Sequence, residues 1–147
     1  GQMCIRDSAG IGGNTYNFCE NFEFVYVIDN NEKCINYLER NLSKFNNHYI
    51  INESCLDIIK IIRSDILFFD PPWGGKNYKK IINLDLILDN TPINIIIDNL
   101  YFSHKLIALK APLNYIIKES KLWKIKVYNI YKNYKTEVVF NLIIYYK

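Results

Sequence analysis

Asp70-Pro71-Pro72-Trp73-Gly74-Gly75 is the densest run of chemistry-bearing residue types in the chain. It follows the apolar stretch Asp65 to Phe69 (DILFF), and its two prolines and two glycines end any regular element there. An exocyclic amino group needs acceptors that aim its lone pair at a donor. The Asp70 carboxylate and the Pro71 carbonyl suit this, because proline fixes the backbone that carries the carbonyl. A flat base needs a stacking face, and Trp73 offers one worth ~1–3 kcal/mol. The glycines behind it are expected to clear space. A plain turn with a core tryptophan is the alternative, and the presence of all these parts together at a strand end argues against it.

A second constellation lies upstream, in Ala9-Gly10-Ile11-Gly12-Gly13-Asn14-Thr15. Glycines at a strand-to-helix turn let backbone N–H groups approach a ligand closely. An acidic residue ending the next strand, about 20 residues on, can bind ribose hydroxyls. Asp29 stands there, at the end of Phe24 to Ile28 (FVYVI). Alone, the glycines also fit a tight turn; Asp29 at the right strand end favours the ligand loop.

The remaining candidates are weaker. Lys76, Lys79 and Lys80 could meet phosphates, and solvated surface lysines explain them equally well. Lys118, Lys121, Lys124 and Lys126 read as ordinary surface residues. His48 and His104 have no partner at catalytic or metal spacing. The four cysteines, Cys4, Cys19, Cys34 and Cys55, contain no C-x-x-C pair, so no metal is expected and reduced thiols in an intracellular protein are the simplest reading. Trp123 reads as packing.

The elements that must position these residues follow from periodicity. A short helix is expected through Phe18 and Asn21, a longer one over Asn31 to Phe45 capped by Asn30 or Asn31, and a strand at Tyr49 to Ile51. Leu56, Ile59 and Ile62 share one helical face. Thr91-Pro92 reads as a cap with proline at the first helical position, and the helix runs to about Phe102. Lys105 to Leu109 is the next strand. Leu122 to Tyr131 and Thr136 to Tyr146 are joined by Lys132-Asn133-Tyr134 into an antiparallel hairpin. Strands alternating with helices and closed by a hairpin predict an α/β fold with a mostly parallel sheet and a C-terminal antiparallel β-hairpin.

The 147 residues fit one domain, with half of them hydrophobic and a net charge of +3, which permits an anionic partner without requiring one. No apolar run reaches the ~20 residues of a membrane span. Two readings stand for Gly1 to Arg6, a fragment's ragged start or residues foreign to the natural protein.

With both motifs in hand, the chain resembles the amino-group nucleic acid methyltransferases through Asp-Pro-Pro-Trp. It resembles more narrowly the RNA cap guanine-N2 methyltransferases, the trimethylguanosine synthases. Gly10-Ile11-Gly12-Gly13-Asn14-Thr15 and Pro71-Pro72-Trp73-Gly74-Gly75-Lys76-Asn77-Tyr78 carry that likeness, with Val27-Ile28-Asp29 and Ala108 to Asn114 (ALKAPLN) supporting it. The resemblance implies a Rossmann-like fold, S-adenosyl-L-methionine as cofactor and a 7-methylguanosine-capped RNA as partner. It implies that Gly10, Gly12, Asn14 and Thr15 flank the methionine part of the cofactor, with Asp7, Ala9 and Asp70 in the same set. Asp29 then holds the ribose, and Ser54 and Cys55 lie near the adenine. Trp73 stacks on the methylated guanine, Asp70 and Pro71 face the amine, and Pro72, Lys76 and Tyr78 complete the substrate side.

Several positions depart from the family pattern. Asp7 stands one residue closer to Gly10 than the usual acidic residue. Ser54 replaces another acidic residue, with Glu53 or Asp57 able to compensate. Many members carry serine where Asp70 stands. The first strand is hardly recognisable and is expected to be truncated, and the family's helical segment before it is missing. The resemblance implies a monomeric enzyme of the nucleus or cytoplasm. Adenine N6 methylation, and a catalytically inactive cap- or RNA-binding paralogue, remain the alternatives.

Overall fold

The computed structural model describes residues 2–7, 13–132 and 136–147. In chain order the elements are β1 (Gln2–Asp7), α1 (Gly13–Asn21), β2 (Phe24–Asp29), α2 (Glu32–Asn41), β3 (His48–Asn52), α3 (Cys55–Ile58) and β4 (Ile66–Asp70). Then follow a 3-10 turn (Tyr78–Lys80), β5 (Ile87–Leu88), β6 (Thr91–Pro92), α4 (Ile93–Asn99), β7 (Leu106–Ala111), β8 (Lys124–Tyr131) and β9 (Val138–Tyr146).

Seven strands form one sheet in the order β3-β2-β1-β4-β7-β9-β8. The first five are parallel, and β9 runs antiparallel between β7 and β8. The expected hairpin is therefore present, with its second strand inserted beside the parallel set and its first strand at the edge. The chain winds from β1 out to β3, then returns to the other side of β1 as β4. Ligands bind at such a reversal, in the crevice beyond the carboxyl ends of the two central strands.

The central strands form because both of their faces are covered, so they read as continuous apolar runs. Val25, Val27, Phe68 and Ala108 pack on one face with Cys19, Ile35, Leu38 and Leu42 from the α1 and α2 side. Ile28, Leu67, Phe69, Ile107 and Leu109 pack on the other with Ile93, Ile96 and Ile97 of α4. Each such side chain contributes roughly 1.5–3 kcal/mol on burial. The core thus holds the carboxyl ends of β1, β2 and β4 in fixed register, with Asp7 beside Asp70 and Asp29 beside Asn52.

Four local expectations change. Gln2–Asp7, hardly recognisable as a strand in sequence, pairs with β2 and β4 along its length; neighbours on both sides supply what its own pattern does not. The α2 helix starts as expected, with the Asn31 side chain accepting from the backbone N–H of Lys33 and Cys34, but it ends at Asn41. Leu42 and Phe45 still pack inward from the turn that follows. Thr91 does not cap α4. Asp89 and Asn90, at φ 47° and 63°, make a two-residue turn of the hairpin-favouring kind, and Thr91–Pro92 pair back on Ile87–Leu88. Pro92 then occupies the capping position, and α4 stops at Asn99 rather than near Phe102. The helix expected around Leu56 to Ile62 shortens to one turn, α3, although Ile59 is still buried.

His104 follows α4 and is buried, with Nδ1 2.9 Å from Ser103 Oγ. Burial pushes its imidazole below the ordinary 6.5, and the positive charges of Arg63 and Lys147 push the same way. The folded state therefore prefers the neutral ring. Its contribution is complete above the unfolded pKa and is lost as pH falls through the lower folded value. Denaturant titrations from about pH 7.5 to about pH 5 should show stability declining on the acid side. His104→Gln should flatten that slope, and an unchanged slope would exclude His104 as its source.

Candidate active site

Strand β4 delivers Asp70 to the sheet's carboxyl edge, and the two prolines then turn the chain away from the ladder. Asp70 is 3% exposed. Its Oδ2 accepts from Asn14 Nδ2 at 3.4 Å and pairs with Lys110 Nζ at 3.2 Å. Asn14 belongs to the first turn of α1, so the two motifs, 56 residues apart in sequence, meet at one carboxylate. Thr15 next to it is fully buried, and its Oγ1 has no hydrogen-bond partner among the described residues. Ala9, Gly10 and Gly12 lie outside the described residues, and of Asp7 only the backbone is described.

At the end of β2, Asp29 is 3% exposed and its Oδ1 accepts the backbone N–H of Asn31 at 2.8 Å. The same short turn that lets Asn31 cap α2 thereby fixes the Asp29 carboxyl. Ser54 stands at the start of α3 without capping it; its Oγ donates instead to Asp89 Oδ2 at 3.0 Å. Asp89 was not anticipated from the sequence. Its acidic side chain reaches the position where Ser54 replaces an acidic residue, by way of the β5–β6 turn. Cys55 is buried in the core and Glu53 and Asp57 are exposed.

Beyond Asp70, Trp73 is half-buried and meets Tyr78 edge to face, with ring centroids 5.2 Å apart. A cavity of about 530 Å³ opens beside it, its walls including Tyr78, Lys79, Lys110, Asn114 and Phe140. A smaller one of about 280 Å³ runs along Asp70, Pro71, Pro72 and Gly75, and Trp73, Tyr78 and Lys110 line both. Asn114 holds the wall in place, donating through Nδ2 to the carbonyls of Tyr78 and Ile81 at 2.7 Å each. Lys76 is exposed on the same loop, and of the lysines following the motif Lys79 lines the larger cavity. Pro71 is buried and Pro72 exposed.

Gly74 and Gly75 correct one expectation. A Cβ on either would meet nothing within 4 Å, so they do not clear space. They adopt φ of 94° and 83°, a region L side chains rarely enter, and this turns the loop behind Trp73. Gly74→Ala or Gly75→Ala should each cost about 1–2 kcal/mol through backbone strain alone. Denaturant unfolding checks it; a neutral result would contradict the strain argument.

Lys110, which pairs with Asp70 and lines both cavities, was not anticipated from the sequence. A charged residue inside the apolar run of β7 was the available signal. Among the described residues no group of three or more His, Cys, Asp or Glu side chains could hold a metal ion, and no helix is long and apolar enough to cross a membrane.

An aromatic face beside a carboxylate at the topological reversal, facing the first turn of α1, suits holding a flat base while its amine reacts. Protein L320 of Acanthamoeba polyphaga mimivirus, described as uncharacterized, is 37% identical over 115 residues, covering 74% of this chain and 45% of that protein. The chain spans about half the length of the curated relatives it matches. In fold it is similar to an rRNA methylase from Streptococcus thermophilus (TM-score 0.62, 12% identity, 99% of this chain and 86% of that one). It is equally similar to a methyltransferase of Streptococcus mutans solved with S-adenosylhomocysteine (TM-score 0.63, 13% identity, 99% and 88%). The architecture is thus that of the Rossmann-like S-adenosylmethionine-dependent methyltransferases. A family model described as RNA cap guanine-N2 methyltransferase matches residues 2–145, essentially the whole chain. The chain belongs to the RNA cap guanine-N2 methyltransferase family.

Proposed function

We propose that this protein transfers methyl groups from S-adenosyl-L-methionine to the exocyclic N2 of a 7-methylguanosine RNA cap. The observation that carries the reading is the half-buried Trp73 standing beside a cavity and next to Asp70, whose carboxylate is tied to Asn14 in the first turn of α1. S-adenosylmethionine supplies a methyl group on a positively charged sulfur, already a good leaving group. Gly10, Gly12, Asn14 and Thr15 would hold its methionine part, Asp29 its ribose, and Ser54 its base. The described residues fit such a ligand: Thr15 brings a buried hydroxyl that has no hydrogen-bond partner among the described residues, and Asp29 is a buried acid that accepts the backbone N–H of Asn31.

Asp70 and the Pro71 carbonyl accept the N–H bonds of the target amine and orient its lone pair. Orientation supplies much of the acceleration, and no covalent bond to the protein is needed. The amine loses its proton after attack, toward the Asp70 carboxylate. Trp73 stacks on the base, and the positive charge of 7-methylguanine adds a cation–π term of ~0.5–2 kcal/mol that plain guanine lacks. Lys79 is placed to meet cap phosphates, which set position rather than base identity.

Fluorescence tests the recognition half of this. Of the two tryptophans, Trp123 is 4% exposed with Nε1 donating to the Ile97 carbonyl, so quenching by ligand reports Trp73. A 7-methylguanosine cap analogue should quench more strongly, at lower concentration, than the unmethylated one; equal quenching would count against cap selectivity. The aspartate heading the motif supports a second reading, methylation of adenine N6, for which an adenine-containing oligonucleotide would be the better ligand.

A further inference from the structure

Asp70 has a partner for which its motif does not account. Lys110 lies within β7 between the buried Leu109 and Ala111. Its side chain is 20% exposed, with Nζ 3.2 Å from Asp70 Oδ2. The same nitrogen stands 5.0 Å from the Phe140 ring centroid and 5.8 Å from that of Trp73. Holding a charged pair in such surroundings carries a desolvation cost that an apolar residue at 110 would avoid. Both cavities of the site open onto it.

We propose that Lys110 is a positioning residue for methyl transfer, acting through Asp70; this rests on the reading of Asp70 as the acceptor of the target amine. Two effects follow from the one contact. Lys110 and Asn14 grip the same oxygen from β7 and from α1, which fixes the carboxylate for the amine. The pair is also electrically neutral beside Trp73, so a cationic base meets no net positive charge at its stacking face. Among the described side chains, Lys110 from β7 and Tyr78 from the 3-10 turn are titratable groups around Asp70, and Asp7 is its backbone register partner on β1. Lys79 and Glu137 line the adjoining cavity.

The variants are Lys110→Met, Lys110→Arg and the double change Asp70→Asn with Lys110→Met. The first readout needs no substrate: the Asp70 carboxyl is titrated by carbon-13 NMR. Its pKa should rise in Lys110→Met and return toward the original in Lys110→Arg. In turnover, Lys110→Met should lower kcat about tenfold or more through the loosened carboxylate. The acid limb of its pH profile should move upward, KM for S-adenosylmethionine should hold, and arginine should rescue. Asp70→Asn alone strands the Lys110 charge beside Trp73. It should weaken binding of the 7-methylated cap analogue more than of the plain one, and adding Lys110→Met should restore the ratio. An unmoved Asp70 titration, or a kcat loss equal at every pH and not rescued by arginine, overturns the proposal. A wild-type protein that methylates no cap would instead overturn the function proposed above, and the NMR titration would still decide the role of Lys110.

Discussion

Trp73→Ala should weaken binding of a 7-methylguanosine cap analogue by between ~10-fold and ~4 × 10³-fold. The range follows from losing a base–aromatic stack of ~1–3 kcal/mol and a cation–π term of ~0.5–2 kcal/mol, with 1.4 kcal/mol per tenfold. Unmethylated cap, which lacks the cationic term, should lose less. Trp73→Phe should fall between, because it keeps a ring of weaker quadrupole. The effect should sit mainly on the RNA side, since Trp73 lines both cavities proposed for the base. Equilibrium binding with both cap analogues and with S-adenosylhomocysteine separates these terms. Trp73 also packs on Tyr78 at the margin of the core, so unfolding of the variant must be measured in parallel. Cap affinity equal to wild type would remove the stacking role.

Asp70→Ala should abolish most turnover and, by leaving the Lys110 charge uncompensated beside Trp73, weaken binding of the 7-methylated cap more than of the plain one. Losing the acceptor that orients the amine costs about 10²-fold or more in kcat, the size expected when a reacting group is misplaced by ~1 Å. The substitution also leaves the Lys110 charge unpaired. Its side chain keeps 20% exposure, so the stability loss should be on the order of 1–3 kcal/mol, below the 3–5 kcal/mol of a fully buried broken pair. Single-turnover rates at saturating cofactor and cap isolate the chemical step. A rate within about threefold of wild type would mean that orientation rests elsewhere.

Much of this site is legible in the amino-acid sequence, because parallel strands buried on both faces read as unbroken apolar runs. Phe24 to Ile28 and Asp65 to Phe69 announce β2 and β4, and the residues that end them, Asp29 and Asp70, are the ones the sheet presents at its carboxyl edge. What escapes is tertiary in origin. The Asp89-Asn90 turn competes locally with a Thr91 cap, and only pairing of Thr91–Pro92 with Ile87–Leu88 decides between them. Gln2–Asp7 carries too weak a pattern to be read alone, and becomes a strand through two neighbours. Lys110 is invisible to periodicity, since its meaning comes from Asp70, 40 residues away. Gly74 and Gly75 stand out in the motif for a reason other than the expected one: their backbone angles, not the room around them, require glycine.

The central claim is methyl transfer to one nitrogen of one base, and the most direct test measures it. Protein, labelled S-adenosylmethionine and 7-methylguanosine cap analogue are incubated beside unmethylated cap and an adenine-containing oligonucleotide. The labelled product is digested and the methyl group located by mass spectrometry and NMR. The account predicts label on N2 of 7-methylguanosine and none on the other two substrates. Label on adenine N6, or on unmethylated guanine at an equal rate, would contradict it.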